Sequence, residues 1–304
     1  MMKRIFLLAG VMFIIPVFVI LFFVSFDDTH YQYINDKVVR VKDESSSEIE
    51  EVLLEDYVKG VLAGEMPVSF EIEALKAQAV ASRSYVLKKI DDNKDSDYDV
   101  VNSTLNQVYL TEEKMRVNWK DDYDKNLEKI NAAVNDTRGE YLSYNGEVAN
   151  ALFFSTSSGM TENSEDVFVS EVPYLRSVSS EWDKDSPKYE DISTFLLNDF
   201  YDKLGLEYNS ELNVSISSKT KTGKPKEVLI NGVLFSSRDL ASKLGLRSSY
   251  LSIAFNDNVV TITTKGFGHG VGMSQYGAQG MAKEGYKYNE ILVHYYNGTE
   301  IKKI

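Results

Sequence analysis

The segment Lys265–Ala282, KGFGHGVGMSQYGAQGMA, places the tightest limit on how this chain can fold. Its glycines at 266, 268, 270, 272, 277 and 280 permit backbone conformations and close approaches that side chains would forbid. Familiar uses of such a tract fail. A P-loop needs Gly-Lys-Ser/Thr at a fixed offset, and the tract has none. A dinucleotide fingerprint fails because Met273 stands where the third glycine belongs and no βαβ unit surrounds it. The run Gly272–Gly277 is one residue too long for a nucleophile elbow. His269 can act as a base for Ser274, but no orienting acid or oxyanion hole can be placed from the sequence. A purely structural glycine loop stays open beside a functional one.

A second signal lies upstream. Val52, Tyr57, Val58, Val61 and Leu62 recur at helical spacing and predict a helix from Glu48 onward. Ala63-Gly64-Glu65-Met66-Pro67 breaks it, since Pro67 cannot donate and biases Met66 away from the α region. A further helix is predicted over 71–89. Glu65 therefore sits at a junction between helices, against Met66, Val68 and Phe70. Partial desolvation there raises a carboxyl pKa, as a general acid near neutral pH requires. An ordinary helix-end glutamate is the plainer alternative. On the second helix, Arg83 carries a planar donor fork suited to a carboxylate or a sugar oxygen, or to a surface salt bridge.

The rest of the chain predicts an α+β fold without a Rossmann-like series. Asp91–Asp99 reads as an exposed acidic loop lacking the residues an EF-hand needs. A short helix is expected over 127–134, and strands flank a turn at Asn145-Gly146. Ser155–Gly159, STSSG, is a small-residue loop that admits another chain close to its backbone. Beyond it the pattern predicts a helix near 191–204, strands near 211–217 and 227–230, a helix near 236–244, and strands at 250–255 and 258–264.

Composition narrows the chemistry. The 304 residues carry a formal net charge of −13, which disfavours binding along a nucleic-acid backbone. Absence of cysteine removes disulfides, thiolate metal sites and a cysteine nucleophile. The histidines are His30, His269 and His294, too scattered for an imidazole-rich centre. Ile5–Phe26 is a run of 22 uncharged residues after Lys3-Arg4, long enough to cross the ~30 Å hydrocarbon layer. The basic pair keeps the N-terminus cytoplasmic and places the residues after Asp27 outside. A cleaved signal peptide would end in a small-x-small site that Val24-Ser25-Phe26 does not offer.

Taken together, YVKGVLAGEMPVSFEIEALKAQAVASRSY (57–85), FFSTSSGMTENSEDVFVSEVPYLRSV (153–178), LGLRSSYLSI (244–253) and GFGHGVGMSQYGAQGMAKEGYKYNEILVHYYNGT (266–299) resemble the stage II sporulation protein D family (SpoIID), membrane-anchored lytic transglycosylases of spore-forming bacteria. The resemblance runs from about residue 50 to the C-terminus. It implies a mixed, two-lobed catalytic domain with a substrate cleft, preceded by one transmembrane helix. The expected layout is a cytoplasmic tail (1–4), anchor (5–26), linker or entering strand (27–47) and catalytic domain (48–304), its core 48–183 and 266–304 interrupted by a lobe at 184–265. Glu65 matches the family's catalytic acid. Arg83 matches an arginine beside it, Tyr174, Arg176 and Asp183 match groups lining the cleft, and His269 and Gln275 border it. The implied substrate is the peptidoglycan glycan strand, stripped of peptides and cleaved between N-acetylmuramic acid (MurNAc) and N-acetylglucosamine (GlcNAc) during engulfment. A cell-wall amidase and a membrane scaffold are the implied partners, with no nucleic acid. Some members hold zinc through Cys and His, but the matching region Tyr98–Leu110 has neither, so no metal or other cofactor is expected. A glycan-binding activator of an amidase, without chemistry of its own, is the alternative.

Overall fold

The computed structural model describes residues 37–103 and 105–304. The tail, the expected anchor at 5–26 and His30 lie outside them. Among the described residues no helix is long and apolar enough to cross a membrane.

The architecture is α+β. Strand β1 (Val38–Asp43), within the stretch expected as linker or entering strand, pairs antiparallel with β2 (Ile49–Leu53) and parallel with β3 (Val100–Asn102). The expected helix from Glu48 is thus corrected. Residues 49–53 are taken up by the ladder with β1, and helix α1 (Leu54–Glu65) starts after them. It buries Leu54, Tyr57, Val58, Val61 and Leu62. Its end at Met66 is extended (φ −120°, ψ 134°), as Pro67 demands of its predecessor.

Helix α2 (Ile72–Asp92) is buried through most of its middle. Ala74, Ala77, Ala79 and Ala81 are fully buried, and small side chains let neighbours pack on every side. Around it stand α1, α4 (Tyr123–Asp136, which comes after α3, Glu112–Trp119), β4 (Glu140–Tyr144), α8 (Gln275–Lys283) and α9 (Tyr288–Tyr295). The acidic loop expected over Asp91–Asp99 is shorter than predicted. Helix α2 runs into it, and Asp99 is buried, accepting from Arg40 Nη2 at 2.6 Å. Strand β4 turns at Asn145-Gly146, both at positive φ (51° and 88°), into β5 (Glu147–Val148), while β14 (Glu300–Lys303) flanks its other edge.

Beyond β6 (Phe153–Phe154) and the one-turn α5 (Ser164–Val167), a separate hydrophobic cluster draws on residues 195–262. Two antiparallel sheets supply it. One holds β7 (Glu190–Leu196), β11 (Leu251–Asn256) and β12 (Val259–Lys265). The other holds β8 (Val214–Lys219), β9 (Pro225–Ile230) and β10 (Val233–Ser236). Helices α6 (Leu197–Leu204) and α7 (Ser237–Leu244) pack on each other between them, and each stops at a left-handed glycine, Gly205 or Gly245. The helix expected over 191–204 is corrected in its first half, where every residue from Glu190 to Leu196 pairs with β12.

Candidate functional site

The glycine tract lies against the STSSG region. Phe267 and Thr156 exchange backbone hydrogen bonds at 2.7 and 3.1 Å. Strand β13 (Met273–Ser274) then runs parallel to β6. Gly272 is indispensable to this contact: it has φ 80°, and a Cβ there would lie 2.0 Å from the Leu152 carbonyl oxygen. A cleft of about 560 Å³ opens beside this seam. Glu65, Tyr85, Asn106 and Val108 line it from one side, and Ser155, Lys188, His269 and Gln275 are among its other lining residues.

Glu65 is placed by the break after α1 and by the segment 107–110 packed onto that helix. The approach is close enough that a Cβ on Gly64 would lie 2.4 Å from the Val108 carbonyl oxygen. The Val108 N–H donates to Glu65 Oε1 at 2.6 Å, which leaves Oε2 to carry a proton. Burial raises the Glu65 pKa above the usual carboxylate value, against the lowering effect of that single N–H. Nearby, Asn106 Nδ2 donates to Tyr85 Oη at 2.9 Å, so the phenol keeps its own proton for donation. Burial also raises the Tyr85 pKa, and the charge of Glu65 adds to the rise.

His269 Nδ1 accepts from the Val271 N–H at 3.1 Å, and Nε2 lies 3.0 Å from the Phe153 carbonyl. The proton is therefore assigned to Nε2, and both nitrogens are occupied. Burial pushes its pKa down to about 4, so the ring is neutral near pH 7. It serves no base role toward Ser274, whose Oγ donates to Asp183 Oδ1 at 2.6 Å and accepts from the Gly277 N–H. Gln275 is buried at the cleft, its Nε2 3.5 Å from Gln78 Oε1.

The structure thus places Glu65, His269 and Gln275 together at the cleft, and the other four expected residues elsewhere. Arg83 is fully buried and committed: Nε and Nη2 grip Glu55 at 3.0 and 2.6 Å, and Nη1 donates to the Glu140 carbonyl at 2.9 Å. Asp183 is also buried, accepting from Ser157, Ser180 and Ser274 at 2.7, 2.5 and 2.6 Å. Burial raises its pKa in opposition to these hydroxyl donors. Tyr174 Oη accepts from the Asn150 N–H at 2.8 Å, and Arg176 is paired with Glu165 and Glu171. None of these four lines the cleft. Sequence reasoning does not find Asn106, Val108 and Lys188. Asn106 and Val108 carry no local pattern and reach the cleft because 107–110 folds back on α1; Lys188 in DSPKYED looks like any surface lysine.

Comparison with known proteins agrees on one family. The SpoIID family model, described as a stage II sporulation protein, matches residues 42–144. Stage II sporulation protein D of Bacillus amyloliquefaciens is 44% identical over 264 residues, 85% of this chain and 77% of that protein. Its counterpart in Bacillus subtilis (strain 168) is 42% identical with the same coverage. The protein named amidase enhancer in Bacillus subtilis (strain 168) is 29% identical over 299 residues, 80% of this chain and 40% of that protein.

Proposed function

The chain belongs to the stage II sporulation protein D family, and from that premise we propose that it acts on the cell wall in sporulation as a lytic transglycosylase. The substrate is the peptide-stripped glycan strand of peptidoglycan, cut at the MurNAc–GlcNAc bond during engulfment. One observation carries the reading: Glu65 is the sole carboxylate among the described residues lining the cleft. Hydrolysis by the usual glycosidase routes takes two carboxylates, one as acid and one as base or nucleophile. A lytic transglycosylase needs one, because the sugar supplies its own nucleophile.

Protonated Glu65 gives its Oε2 proton to the glycosidic oxygen, and the bond from that oxygen to the muramic acid anomeric carbon breaks. Positive charge grows on that carbon. The Glu65 carboxylate then takes the proton of the same sugar's C6 hydroxyl, whose oxygen closes the 1,6-anhydro ring. The acid is regenerated and no water is consumed. Burial supports the first step by keeping Glu65 protonated at higher pH than an exposed glutamate. The Val108 N–H supports the second by stabilising the carboxylate. Tyr85, with a proton to donate, stands where it can bond a sugar oxygen. Anchoring by 5–26 would hold this domain against the wall, beside an amidase that removes the stem peptides and a scaffold that gathers both.

Mass spectrometry of products from purified peptide-free glycan strands tests the reading. Anhydro-muramic ends from the wild type, missing with Glu65→Gln, are the expected result; reducing ends would sink it in favour of a hydrolase. The similarity to an amidase enhancer favours a second reading, a glycan-binding activator without chemistry. Glycan binding and amidase stimulation that survive in Glu65→Gln, with no cleavage by either protein, would select it.

A further inference from the structure

We propose that Lys188 is the specificity-determining cation of the cleft, pairing with the free lactyl carboxylate of a muramic acid unit. This rests on the glycan-strand reading above. The argument begins with charge. Three cleft-lining groups can carry one: Glu65, Lys188 and His269, and the last is neutral near pH 7. The two arginines expected at the cleft are both paired, Arg83 with Glu55 and Arg176 with Glu165 and Glu171. Lys188 is different. Among the described residues its ammonium has no carboxylate partner, in a chain where acids outnumber bases 46 to 33.

Its position is held by the fold. The Lys188 N–H donates to Ser186 Oγ at 3.1 Å, and that hydroxyl lies 3.0 Å from Thr156 Oγ1. The next residue, Tyr189, ties its hydroxyl to the Ser158 carbonyl at 3.1 Å. The ammonium lies 5.1 Å from the Phe267 ring centre and 6.0 Å from that of Tyr276. These rings hold the cation while leaving it open to an anion. Lys188 and Glu65 both line the cleft without an ion pair between them, and the one hydrogen bond to the Glu65 carboxylate comes from the Val108 N–H. An anion on Lys188 is neutralised by a cation that is not already paired with Glu65.

The lactyl group is the regular anion of a stripped strand. A stem peptide converts it to an amide, which abolishes the charge. Lys188 thereby lets the cleft distinguish the two strands at the sugar itself. Carboxylates further out on a stem peptide are the other source of the same chemistry.

The test uses Glu65→Gln protein, so that affinity is read without cleavage, and three probes: stripped strands, stripped strands with the lactyl carboxylates converted to methylamides, and strands with peptides intact. The expected result is binding of the free-acid strands about tenfold tighter than the methylamides, as for a charge-assisted bond. Adding Lys188→Met should erase the preference, and Lys188→Arg should keep it. A preference that survives Lys188→Met, or none at the outset, would overturn the assignment. So would peptide-bearing strands binding as well as stripped ones in a Lys188-dependent way, since the anion would then be a peptide carboxylate. Failure of the wild type to form anhydro ends would instead remove the transglycosylase reading, with the binding preference still measurable.

Discussion

Helix α1 carries a glutamate at each end, and the two have opposite fates. Glu55 at the N-terminal end is 3% exposed and held bidentately by Arg83, with the Gly139 N–H also donating at 3.2 Å. Glu65 at the C-terminal end meets one backbone N–H and, among the described residues, no ion-pair partner. At Glu55 burial is matched by several donors, and the Arg83 they include ties α1 to α2 and β4. At Glu65 burial is opposed by a single N–H, so the proton is retained above the ordinary carboxylate range and is available to a substrate oxygen. A charged residue in a family motif can belong to either kind, and only its neighbours decide.

Exchanging the two roles should give the largest effects. Glu65→Gln is expected to lower anhydro-end formation about a thousandfold with little change in unfolding free energy. Glu55→Gln is expected to cost about 3–5 kcal/mol of stability, because it strands the buried Arg83 charge. Denaturant titration alongside turnover separates the arms, and a Glu65→Gln protein as unstable as Glu55→Gln would erase the contrast. The pH profile sharpens it: activity that needs protonated Glu65 should persist above the ordinary carboxylate range and fall as pH rises through its raised pKa.

The next effect in size concerns His269. Its folded pKa is lowered from 6.5 to about 4, so the unfolded chain binds the extra proton first as pH falls. Its contribution is fully present above pH 6.5 and is lost on descent toward pH 4, up to about 3 kcal/mol in all. His269→Gln should flatten that part of the stability curve; an unchanged slope would mean that other groups govern it.

The smallest effect belongs to Arg176, whose partners Glu165 and Glu171 are partly exposed. Arg176→Met should change stability by no more than about 1 kcal/mol and leave glycan cleavage intact. A large fall in cleavage at unchanged stability would return Arg176 to the substrate site.

Parts of this contrast are legible in the sequence. Pro67 marks the end of α1 and so places Glu65 at a junction; Asn145-Gly146 marks the hairpin; the alternation over 250–265 gives β11 and β12. These are local signals, read from neighbours along the chain. The strands β2 and β7 read as helix because short mixed runs satisfy both periodicities until a partner is known. Arg83 cannot be separated from a cleft arginine by sequence, since its partner Glu55 lies 28 residues away in a strand-to-helix corner that the periodicity places inside a helix. His269 and Gln275 are assigned to the cleft by the family resemblance alone, which gives no role to Lys188, whose setting comes from Phe267 and Tyr276, far along the chain.

The seam between β6 and β13 also bears on timing. His269 reaches back to the Phe153 carbonyl across 116 residues, so one wall of the cleft is contributed by a stretch near the end of the chain. Closing so long a loop is slow, and a chain emerging N-terminus first presents Glu65 well before the tract that faces it. A chain still being synthesised, or one severed between 160 and 265 with the remainder lost, would carry Glu65 on a half-built surface. On the transglycosylase reading proposed above, glycan would be spared until the glycine tract has arrived and docked.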